Sequence, residues 1–447
     1  MNTEPTRVCI VTFGCQMNKL DSQVLRGRLA RAGFELCEEP DAADVVLYNT
    51  CSVREHAENR VFSHLGTYRA RAERNPDFVL GVLGCMAQRL GAEIRQRFPF
   101  VDLVCGTRAF VRVPELLRGI MDGGGPVVDV AMDAPVRFDR AACMRESGHS
   151  AYVSIMRGCT NFCAYCIVPH VRGPEVSRAP DDVVDEVRRL AEGGVREITL
   201  LGQNVNSYGR DLDGDVNLAA LLEGMNKVPG LARIRFVTSH PRDMTDELLD
   251  AVGRLDKVCE HLHVPPQSGA DAVLRRMNRG YTARDYRHLV DSARRRVPGV
   301  ALAGDFIVGF PGETEEDFEE TLRLLRDVRF QQCFVFKYSP RPGTKAARWE
   351  DDVPDEVKRR RHRQMLDAQE LVDTERRAAM VGSKTEVLVD GPSKQDASNL
   401  SGRTRQNDIV VFRGSEDLTG ELVTLELTDS TALTLFGSLV GRQRSAV

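Results

Sequence analysis

Short apolar runs alternate with helical stretches through the first part of the chain. Four runs bounded by turn-forming residues predict buried strands at Val8–Phe13, Val45–Asn49, Phe78–Leu83 and Leu103–Cys105. Between them, apolar residues recur at helical spacing and predict helices at Asp21–Ala32, Val53–Arg74 and Ala87–Arg97. Strands that alternate with helices favour a parallel sheet with helices on its faces. Residues 6–122 are therefore predicted to form an α/β domain.

The same alternation repeats six times in the middle of the chain, after a looser stretch at 123–148 that begins Gly-Gly-Gly-Pro and is interpreted as a linker. The predicted strands are Tyr152–Met156, Glu197–Leu201, Ile234–Thr238, His261–Val264, Ala301–Val308 and Phe334–Tyr338. Helices are predicted to begin near Pro180, Asn217, Thr245, Ser268 and Thr314, with another at Ala283–Arg296. Six strand–helix units over residues 149–377 predict a partial (βα)6 barrel rather than a complete eight-unit one.

The hydrophobic period changes after a charged helical pattern at Asp355–Met380. The basic run inside it, residues 358–363, is interpreted as a solvated helix face in preference to a phosphate-binding patch. Short strands are then predicted at Thr385–Val389, Ile409–Phe412, Glu421–Leu427 and Ala432–Val440. Such strands within residues 378–441 predict a small antiparallel β-barrel of the oligonucleotide-binding type.

Composition narrows the class of protein. Hydrophobic residues make up 42% and charged residues 28% of the 447, which is ordinary for a globular protein. The formal net charge of −4 excludes a global positive field, so any contact with nucleic acid has to be local. The sequence has neither a signal-peptide pattern at its N-terminus nor an apolar run long enough to cross a bilayer. A cytoplasmic protein without membrane contact is therefore predicted.

Three of the twelve cysteines form a compact motif. Cys159, Cys163 and Cys166 have the spacing C-x₃-C-x₂-C directly after the first predicted barrel strand, at the edge where such barrels place their chemistry. In a reducing compartment, clustered cysteines point to metal binding rather than to disulfides. Three thiolates can hold three irons of a 4Fe-4S cluster and leave the fourth iron open. The alternative, structural zinc, would need a fourth protein ligand, for which His170 is a weak candidate.

A second set of cysteines is defined by topology rather than by spacing. Cys15, Cys51 and Cys85 each follow a predicted strand of the first domain. Because parallel strands end at one edge of a sheet, these side chains are expected to converge there. The residues alone leave two readings open, a second three-thiolate 4Fe-4S site and three buried strand-end thiols. Cys105, at the end of another predicted strand, could be a fourth ligand of this set or a packing residue, and packing is the preferred interpretation. The remaining cysteines are interpreted as packing residues: Cys9, Cys37, Cys143, Cys259 and Cys333.

The compact motif, with an aromatic residue before its last cysteine, resembles the radical S-adenosylmethionine (SAM) superfamily. The resemblance implies that the open iron binds SAM, which one electron cleaves to methionine and a 5′-deoxyadenosyl radical. The turn after the second barrel strand stands where this superfamily has a Gly-Gly-Glu-like turn, but it lacks the acidic residue. By resemblance, the candidate SAM contacts are Tyr165, Gly202, Gln203, Asn204, Ser239, Gln267, Ile307 and Gly309.

Six further segments resemble the methylthiotransferase family within that superfamily. They are residues 13–18, 49–55, 84–89, 198–208, 238–241 and 338–344, and the match extends from about residue 7 to 441. Gln16-Met17-Asn18 points to the branch that modifies N6-(dimethylallyl)adenosine in tRNA, because the branch acting on a ribosomal-protein aspartate typically has Pro-Lys-Asn there. Two positions depart from the family pattern, Pro266 and Gln23.

The resemblance implies a reaction and its components. Cys15, Cys51 and Cys85 would bind an auxiliary 4Fe-4S cluster that carries sulfur, and a second SAM would supply the methyl group. The product would be 2-methylthio-N6-(dimethylallyl)adenosine, next to the anticodon in the anticodon loop. An electron donor such as flavodoxin or ferredoxin is expected, the sulfur donor is left open, and the chain is expected to act as a monomer.

The last segment resembles a TRAM domain, an RNA-binding barrel. Between 378 and 441 it carries five Lys or Arg against nine Asp or Glu, a difference of −4. Its contact with RNA is therefore expected to be local, through Arg403 and Arg405. Alternatives are a methylthiotransferase for another tRNA adenosine derivative or a ribosomal-protein aspartate, and a non-catalytic RNA-binding iron–sulfur protein.

Overall fold

The computed structural model of the chain describes residues 5–52, 55–138, 143–145 and 147–442, with only the backbone described at 55–57. Val53 and Arg54, where the second predicted helix begins, lie outside the described residues, as do residues 139–142 and 146 of the predicted linker. Within the described ranges, no helix is both long enough and apolar enough to cross a bilayer.

The N-terminal domain is a parallel six-stranded sheet covered by helices on both faces. Its strands are β1 (Arg7–Phe13), β2 (Glu35–Cys37), β3 (Val45–Thr50), β4 (Val79–Gly84), β5 (Leu103–Cys105) and β6 (Val127–Asp129), in the order β2-β1-β3-β4-β5-β6. Its helices are α1 (Gln16–Arg31), α2 (Glu55–Thr67), α3 (Arg69–Arg74), α4 (Cys85–Leu90), α5 (Glu93–Arg97) and α6 (Val113–Gly119). Two apolar clusters, one on each face, form its core. The predicted α/β architecture is confirmed.

The helices of this domain differ in detail from those predicted. α1 begins at Gln16, directly after Cys15, and its first turns are buried although they carry few apolar residues. The predicted helix over 87–97 is two helices, because Gly91 adopts a positive φ of 52° after α4. The short strands β2 and β6 were not predicted, because each has three residues and includes a charged one, whereas the equally short β5 is wholly apolar. Two of the cysteines therefore stand at helix starts.

The middle domain is a partial barrel of six parallel strands. They are β7 (Ser150–Ser154), β10 (Glu197–Leu201), β11 (Arg233–Phe236), β12 (His261–His263), β13 (Ala301–Val308) and β14 (Gln332–Lys337), with a small hairpin of β8 (Met156–Arg157) and β9 (Val176–Ser177). The helices are α7 (Val168–Arg172), α8 (Pro180–Glu192), α9 (Leu218–Asn226), α10 (Asp246–Arg254), α11 (Asp271–Arg276), α12 (Ala283–Arg296) and α13 (Glu315–Val328). The strands form two three-stranded halves, linked by a bridge between Ile234 and Val258. The predicted (βα)6 barrel is confirmed.

Helix α14 (Asp355–Ala378) packs against β14 and α13. Its basic run is only partly a solvated face. Lys358 and Arg361 are buried and paired with Asp351 at 2.6 Å and Glu313 at 2.8 Å. Residues 358–363 include no apolar side chain, so the sequence did not indicate which side of the helix faces the barrel. The prediction of a solvated face was therefore wrong for these two residues.

The C-terminal domain is a closed five-stranded barrel. Its strands are β15 (Lys384–Pro392), β16 (Leu400–Thr404), β17 (Ile409–Phe412), β18 (Leu422–Ser430) and β19 (Leu435–Arg442), in the order β15-β16-β17-β19-β18. The pairing of β17 with β19 is parallel and the others are antiparallel. Strand β16 was missed because its sequence, Leu-Ser-Gly-Arg-Thr, lacks apolar alternation. The predicted small barrel is confirmed.

Arginines hold this C-terminal barrel against the amino-terminal ends of the middle strands. Arg233 is fully buried and donates to the carbonyl oxygen of Arg403 at 2.7 Å, and it pairs with Glu386 at 2.8 Å. Arg235 donates to the next two carbonyls of the same strand end at 2.7 Å each. In return, Arg405 pairs with Glu260 at 2.7 Å. The domains are joined by buried, charge-assisted hydrogen bonds.

We expect Arg405→Gln to loosen this contact and leave iron binding intact. The substitution leaves Glu260 without its partner, which costs about 1–3 kcal/mol for a partly buried pair. Hydrogen exchange should accelerate in β15 and β16. Arg442→Gln is the matched control, because Arg442 pairs with Asp417 on the barrel's exposed surface, where both side chains are more than half exposed. Equal exchange in the two variants would contradict the proposed tether.

Candidate metal centre and cofactor pocket

The N-terminal cysteines converge at one edge of the sheet. Strands β1, β3 and β4 are neighbours, and Cys15, Cys51 and Cys85 follow their carboxyl ends. The thiols of Cys15 and Cys51 are hydrogen-bonded to each other, and Cys15 also donates to Asn18 Oδ1 at 3.2 Å. The charge of Cys15 acts in turn on Cys85. The structure therefore brings the three predicted thiols together.

Two glycines make room for this convergence. A Cβ on Gly14 would lie 2.9 Å from the Cβ of Cys51. Gly84, immediately before Cys85, has a φ of 92°, and a Cβ there would collide with Asn49. A side chain at either position would push the loops apart, so the glycines are required by close approach as well as by backbone conformation.

The environment of these thiols favours different protonation states. The hydrogen bond from Cys51, with help from Arg172 and against the effect of burial, lowers the pKa of Cys15 to about 6. Burial raises the pKa of Cys85 above that of a free thiol, although Arg172 opposes the rise. Cys15 therefore loses its proton more readily than Cys85 does, and so forms more readily the thiolate that binds metal.

The barrel-loop cysteines occupy a loop that folds back on itself. Cys159 donates its backbone N–H to the carbonyl of Gly173 at 3.1 Å, and Cys166 donates to the carbonyl of Cys163 at 2.9 Å. Gly158 has a φ of 86°, and any side chain there would collide with Pro174. Burial raises the pKa of Cys159 to about 11 and that of Cys166 to about 12. These thiols stay protonated until a cation displaces the proton.

Both thiol sets fit a cluster better than a single ion. In the described ranges, no three His, Cys, Asp or Glu side chains converge tightly enough to hold one metal ion. A 4Fe-4S cluster places each thiolate on a different iron, so three thiols around a cluster do not meet at one point. None of the cysteines in the structure is in a disulfide. The donor set, three soft thiols in each place, therefore suits iron and sulfide.

A buried arginine stands beside the barrel-loop thiols. Arg279 is 5% exposed, and its Nη1 donates to the Sγ of Cys163 at 3.3 Å. The same nitrogen lies 3.5 Å from the hydroxyl of Tyr165. A fixed cation next to thiolates stabilises their negative charge. Arg279 was not singled out from the sequence, where nothing distinguishes it from the other arginines.

Buried polar atoms without partners lie at the carboxyl ends of β10 and β11. Asn204 Oδ1, Ser239 Oγ and His240 Nε2 have no hydrogen-bond partner among the described residues. His240 accepts from the backbone N–H of Arg242 at Nδ1, so its free Nε2 carries the proton. Native proteins rarely leave such atoms unpaired. They fit a bound molecule rich in hydroxyl, amino and carboxylate groups, as SAM is.

Several other candidate SAM residues are engaged within the protein. Gln203 accepts a hydrogen bond from the backbone N–H of Gly158, so it braces the cysteine loop. The nitrogen of Asn204 donates to Asp243 at 2.7 Å. Gly309 has a φ of 69° and packs against Lys358, and its N–H donates to Glu313. Internal contacts therefore explain Gln203, Gly309 and the nitrogen of Asn204 without a cofactor, whereas Asn204 Oδ1 has no partner among the described residues.

The remaining candidates lie around the barrel-loop thiols. The ring of Tyr165 meets that of Phe310 edge-on at 6.4 Å, and Ile307 packs in the same apolar cluster. Gln267 is buried with a φ of 68°, and its carbonyl accepts the N–H of Ile307 at 3.0 Å. Gly202 packs against Met156, next to the cysteine loop. These candidates are therefore packed within the barrel, with Tyr165 next to the last cysteine of the motif in sequence.

The two thiol sets face each other across the domain boundary. Cys85 packs with Ile167 and Val171, which directly follow the barrel-loop motif. Thr107 of the N-terminal domain donates to the carbonyl of Val171 at 2.6 Å. The N-terminal thiols therefore pack directly against the segment that follows the barrel-loop motif.

A cavity of about 1280 Å³ is lined by residues of all three domains. The N-terminal domain contributes Gln16, Lys19 and Gln23, and the C-terminal barrel contributes Arg403 and Asn407, among others. Gln16 is the residue after Cys15, so the cavity reaches the edge of the N-terminal thiols. Its volume exceeds that of a typical small-molecule pocket, so it can admit a nucleoside with its flanking groups.

The two arginines predicted to contact RNA have different environments. Arg403 is 40% exposed, and it donates to Asn407 Oδ1 at 3.1 Å at the rim of the cavity. The guanidinium of Arg405 is held by Glu260 and by the carbonyl of Val258, so it is not available to phosphate in this structure. The sequence could not distinguish an arginine that faces RNA from one that faces its own protein.

Two buried histidines predict that the free energy of unfolding decreases as the pH is lowered. Burial, aided by Arg279 for His240 and by Arg235 for His261, lowers the pKa of each to about 3. An unfolded histidine titrates near 6.5, so the stabilisation is complete above that pH and is lost as the pH falls toward 3. Between pH 7.5 and 6.0, we expect each histidine to reduce the free energy of unfolding by about 1 kcal/mol. Anaerobic denaturant titrations of wild type and His261→Gln measure this, and an identical pH slope in the two proteins would contradict it.

Three family models match the chain in the order of its domains. The model described as uncharacterized protein family UPF0004 matches residues 7–106, that of the radical SAM superfamily matches 153–325, and that of the TRAM domain matches 378–440. Among solved structures, the radical SAM methyltransferase TsrM from Kitasatospora setae, with cobalamin and a 4Fe-4S cluster bound, has a TM-score of 0.56 at 17% identity and covers 77% of each chain. At that identity, the likeness concerns the fold alone.

Two relatives match almost the whole chain. The tRNA-2-methylthio-N(6)-dimethylallyladenosine synthase of Moorella thermoacetica is 48% identical over 434 residues, covering 96% of this chain and 98% of that protein. The protein of the same name from Carboxydothermus hydrogenoformans is 46% identical over 433 residues, with the same two coverages.

Proposed function

The chain belongs to the methylthiotransferase family of radical SAM enzymes, and we propose that it methylthiolates carbon 2 of N6-(dimethylallyl)adenosine next to the anticodon of tRNA. The product is 2-methylthio-N6-(dimethylallyl)adenosine. The observation that carries this function is the 48% identity over 434 residues to a synthase of that name, with the full domain order present. The enzyme is a transferase.

Six cysteines hold two 4Fe-4S clusters in this proposal. Cys159, Cys163 and Cys166 hold the cluster that binds SAM, and Cys15, Cys51 and Cys85 hold the auxiliary one. When bound, these groups supply the radical and the sulfur needed to replace an unreactive aromatic C–H bond, with SAM also giving the methyl group. The convergence of each set supports the assignment, because three thiols leave one iron open for chemistry.

The chain's own residues position these groups. Arg279 donates to the sulfur of Cys163 and fixes its direction. Asn204, Ser239 and His240 offer hydrogen bonds to the polar groups of SAM from a buried wall. Their burial excludes water from the place where a radical forms, which prevents side reactions. Radical and sulfur must reach one carbon, so this proposal requires the groups held by the two thiol sets to act on the same base.

The large cavity is the proposed entrance for the tRNA base. A base in the single-stranded anticodon loop can be splayed out at modest cost, as base-modifying enzymes require. Lys19 and Arg403 line the cavity from opposite domains and can contact the flanking phosphates. The chain acts as a cytoplasmic monomer in this proposal, with a one-electron donor such as flavodoxin or ferredoxin.

Substrate choice tests the proposal. Reconstituted protein is given SAM, reductant and one of two tRNAs, carrying either dimethylallyl-adenosine or threonylcarbamoyl-adenosine at the same position. Mass spectrometry of the digested nucleosides should find a methylthio product from the first tRNA only. Product from the second tRNA alone would move the chain to another substrate. Absence of both products, with 5′-deoxyadenosine formed, would direct the search to a protein substrate.

A further inference from the structure

An ionic clamp joins the loops that carry the two thiol sets. Asp21 of helix α1, six residues after Cys15, is 3% exposed and lies between two arginines of the middle domain. Arg157, just before the barrel-loop motif, contacts one carboxylate oxygen at 2.7 Å. Arg172, six residues after Cys166, contacts the other at 2.9 Å. A single carboxylate is thus shared across the domain boundary.

Arg172 has one more buried nitrogen than the clamp uses. The residue is 5% exposed, and its Nη2 makes the contact with Asp21. Its Nη1 has no hydrogen-bond partner among the residues that the structure describes. The side chain of Arg172 is hydrogen-bonded to the thiol of Cys85. The negative groups acting on this guanidinium are Cys85, Asp21 and Cys15, two of them thiols of the N-terminal set. A guanidinium N–H that is buried without a partner costs free energy unless a bound group accepts it.

We propose that Arg172 is a positioning residue that directs a hydrogen bond and a positive charge to the auxiliary cluster and thereby raises that cluster's reduction potential. This role rests on the proposed function, which places a cluster on Cys15, Cys51 and Cys85. The orphaned Nη1 supplies the hydrogen bond, and the clamp with Asp21 fixes its direction. Arg157 shares the same carboxylate and also has a buried nitrogen, Nε, without a partner among the described residues, but of the two arginines only Arg172 is among the main charges that act on Cys15 and Cys85.

The direction of the expected change in reduction potential follows from the charge of the cluster. A 4Fe-4S core with two ferrous and two ferric irons, held by three thiolates, carries one net negative charge, and one added electron doubles it. A fixed positive charge therefore stabilises the reduced cluster more than the oxidised one, so the potential rises. Burial strengthens the effect because little water screens it. Asp21 opposes it, since its carboxylate lies on the other side of the guanidinium.

Water is the competing explanation for the unpaired nitrogen. A cavity of about 40 Å³, enough for a water molecule, borders Arg172, Arg157 and Asp21. If water satisfied Nη1 there, Arg172 would serve the clamp alone and would leave the cluster's potential unchanged. A potential measurement separates these explanations, because a purely structural clamp has no signed effect on it.

The test is a redox titration followed by electron paramagnetic resonance, on reconstituted full-length protein without tRNA. The component absent from Cys51→Ala is assigned to the auxiliary cluster. Arg172→Gln should shift this component to a more negative potential, and Arg172→Lys should keep most of the wild-type value. Arg157→Gln, which breaks the other half of the clamp, should shift the potential less than Arg172→Gln does. An unchanged potential in Arg172→Gln would overturn the proposal.

A second variant covers the case in which Arg172→Gln loses its iron. Asp21→Asn removes a negative charge and keeps Arg172, so it should shift the auxiliary component to a more positive potential. A shift of the opposite sign, or none, would overturn the proposal. Wild-type protein with only one cluster would contradict the proposed function instead. The two failures are therefore distinguishable in the same series of samples.

Discussion

Cys159→Ala is expected to abolish both SAM cleavage and tRNA methylthiolation. The loss removes one of three thiolates from a buried loop, and no other cysteine of the loop can replace it, because Cys163 and Cys166 are already ligands in the proposed site. We expect 5′-deoxyadenosine and methylthio product each to fall at least about a hundredfold, equivalent to ~2.7 kcal/mol or more in the barrier. Chromatography of the small molecules and mass spectrometry of the nucleosides measure the two yields.

The matched control for this variant is Cys259→Ala. Cys259 is a buried thiol of the same barrel, but it lies at the end of the strands that contacts the C-terminal barrel. It should keep both yields within a few-fold of wild type, because a small buried thiol contributes packing alone. Normal 5′-deoxyadenosine from Cys159→Ala would show that the barrel-loop motif does not hold the SAM-binding cluster.

Cys51→Ala is expected to separate the two halves of the reaction. It removes a thiolate from the auxiliary site and leaves the barrel loop untouched, so SAM cleavage should persist in part. The methylthio product should fall at least about a hundredfold, since the sulfur source is lost. The ratio of 5′-deoxyadenosine to methylthio product is the quantity to measure, because partial unfolding would lower both yields together.

Cys105→Ala is the control from the same sheet. Cys105 is the last residue of β5, next to β4, but it is fully buried and its thiol points to the carbonyl of Gly106 at 3.6 Å. It should retain both iron and product, in agreement with its interpretation as a packing residue. If Cys51→Ala made full methylthio product, the auxiliary site would have to be assigned elsewhere.

The three-domain architecture was predictable because local patterns specify it. Alternating strands and helices limit the topology to a parallel sheet and a barrel, and parallel strands place their following loops at one edge. That topology was enough to predict from the sequence that Cys15, Cys51 and Cys85 lie at the same edge of the sheet. Element ends were less predictable. Helix α1 begins five residues before its predicted start, because burial against the sheet offsets its polar first turn.

The charged residues around the site could not be assigned from the sequence. Arg172 acts on Asp21, and Arg405 on Glu260, through pairings between distant parts of the chain. No local spacing marks such pairs, since an arginine beside a carboxylate in space has no periodic signature. The same limit explains why Arg405 was interpreted as an RNA contact. Its role in the structure is to hold the C-terminal barrel against the middle domain.

The position of the C-terminal barrel bears on how RNA could be bound. It lies at the amino-terminal ends of the middle strands, whereas the thiols lie at the carboxyl ends. Only its rim residues, Arg403 among them, reach the large cavity. An acidic domain placed there can bind RNA away from the reacting base and leave the base to the cavity. The position of the C-terminal barrel therefore suits it to orient the tRNA rather than to take part in the chemistry.

Anaerobic reconstitution followed by a single assay tests the central claim most directly. Protein with iron and sulfide restored is mixed with SAM, a reductant and tRNA carrying dimethylallyl-adenosine, and small molecules and nucleosides are measured from the same tube. The account predicts 5′-deoxyadenosine together with 2-methylthio-N6-(dimethylallyl)adenosine. Intact clusters that yield neither compound would contradict it.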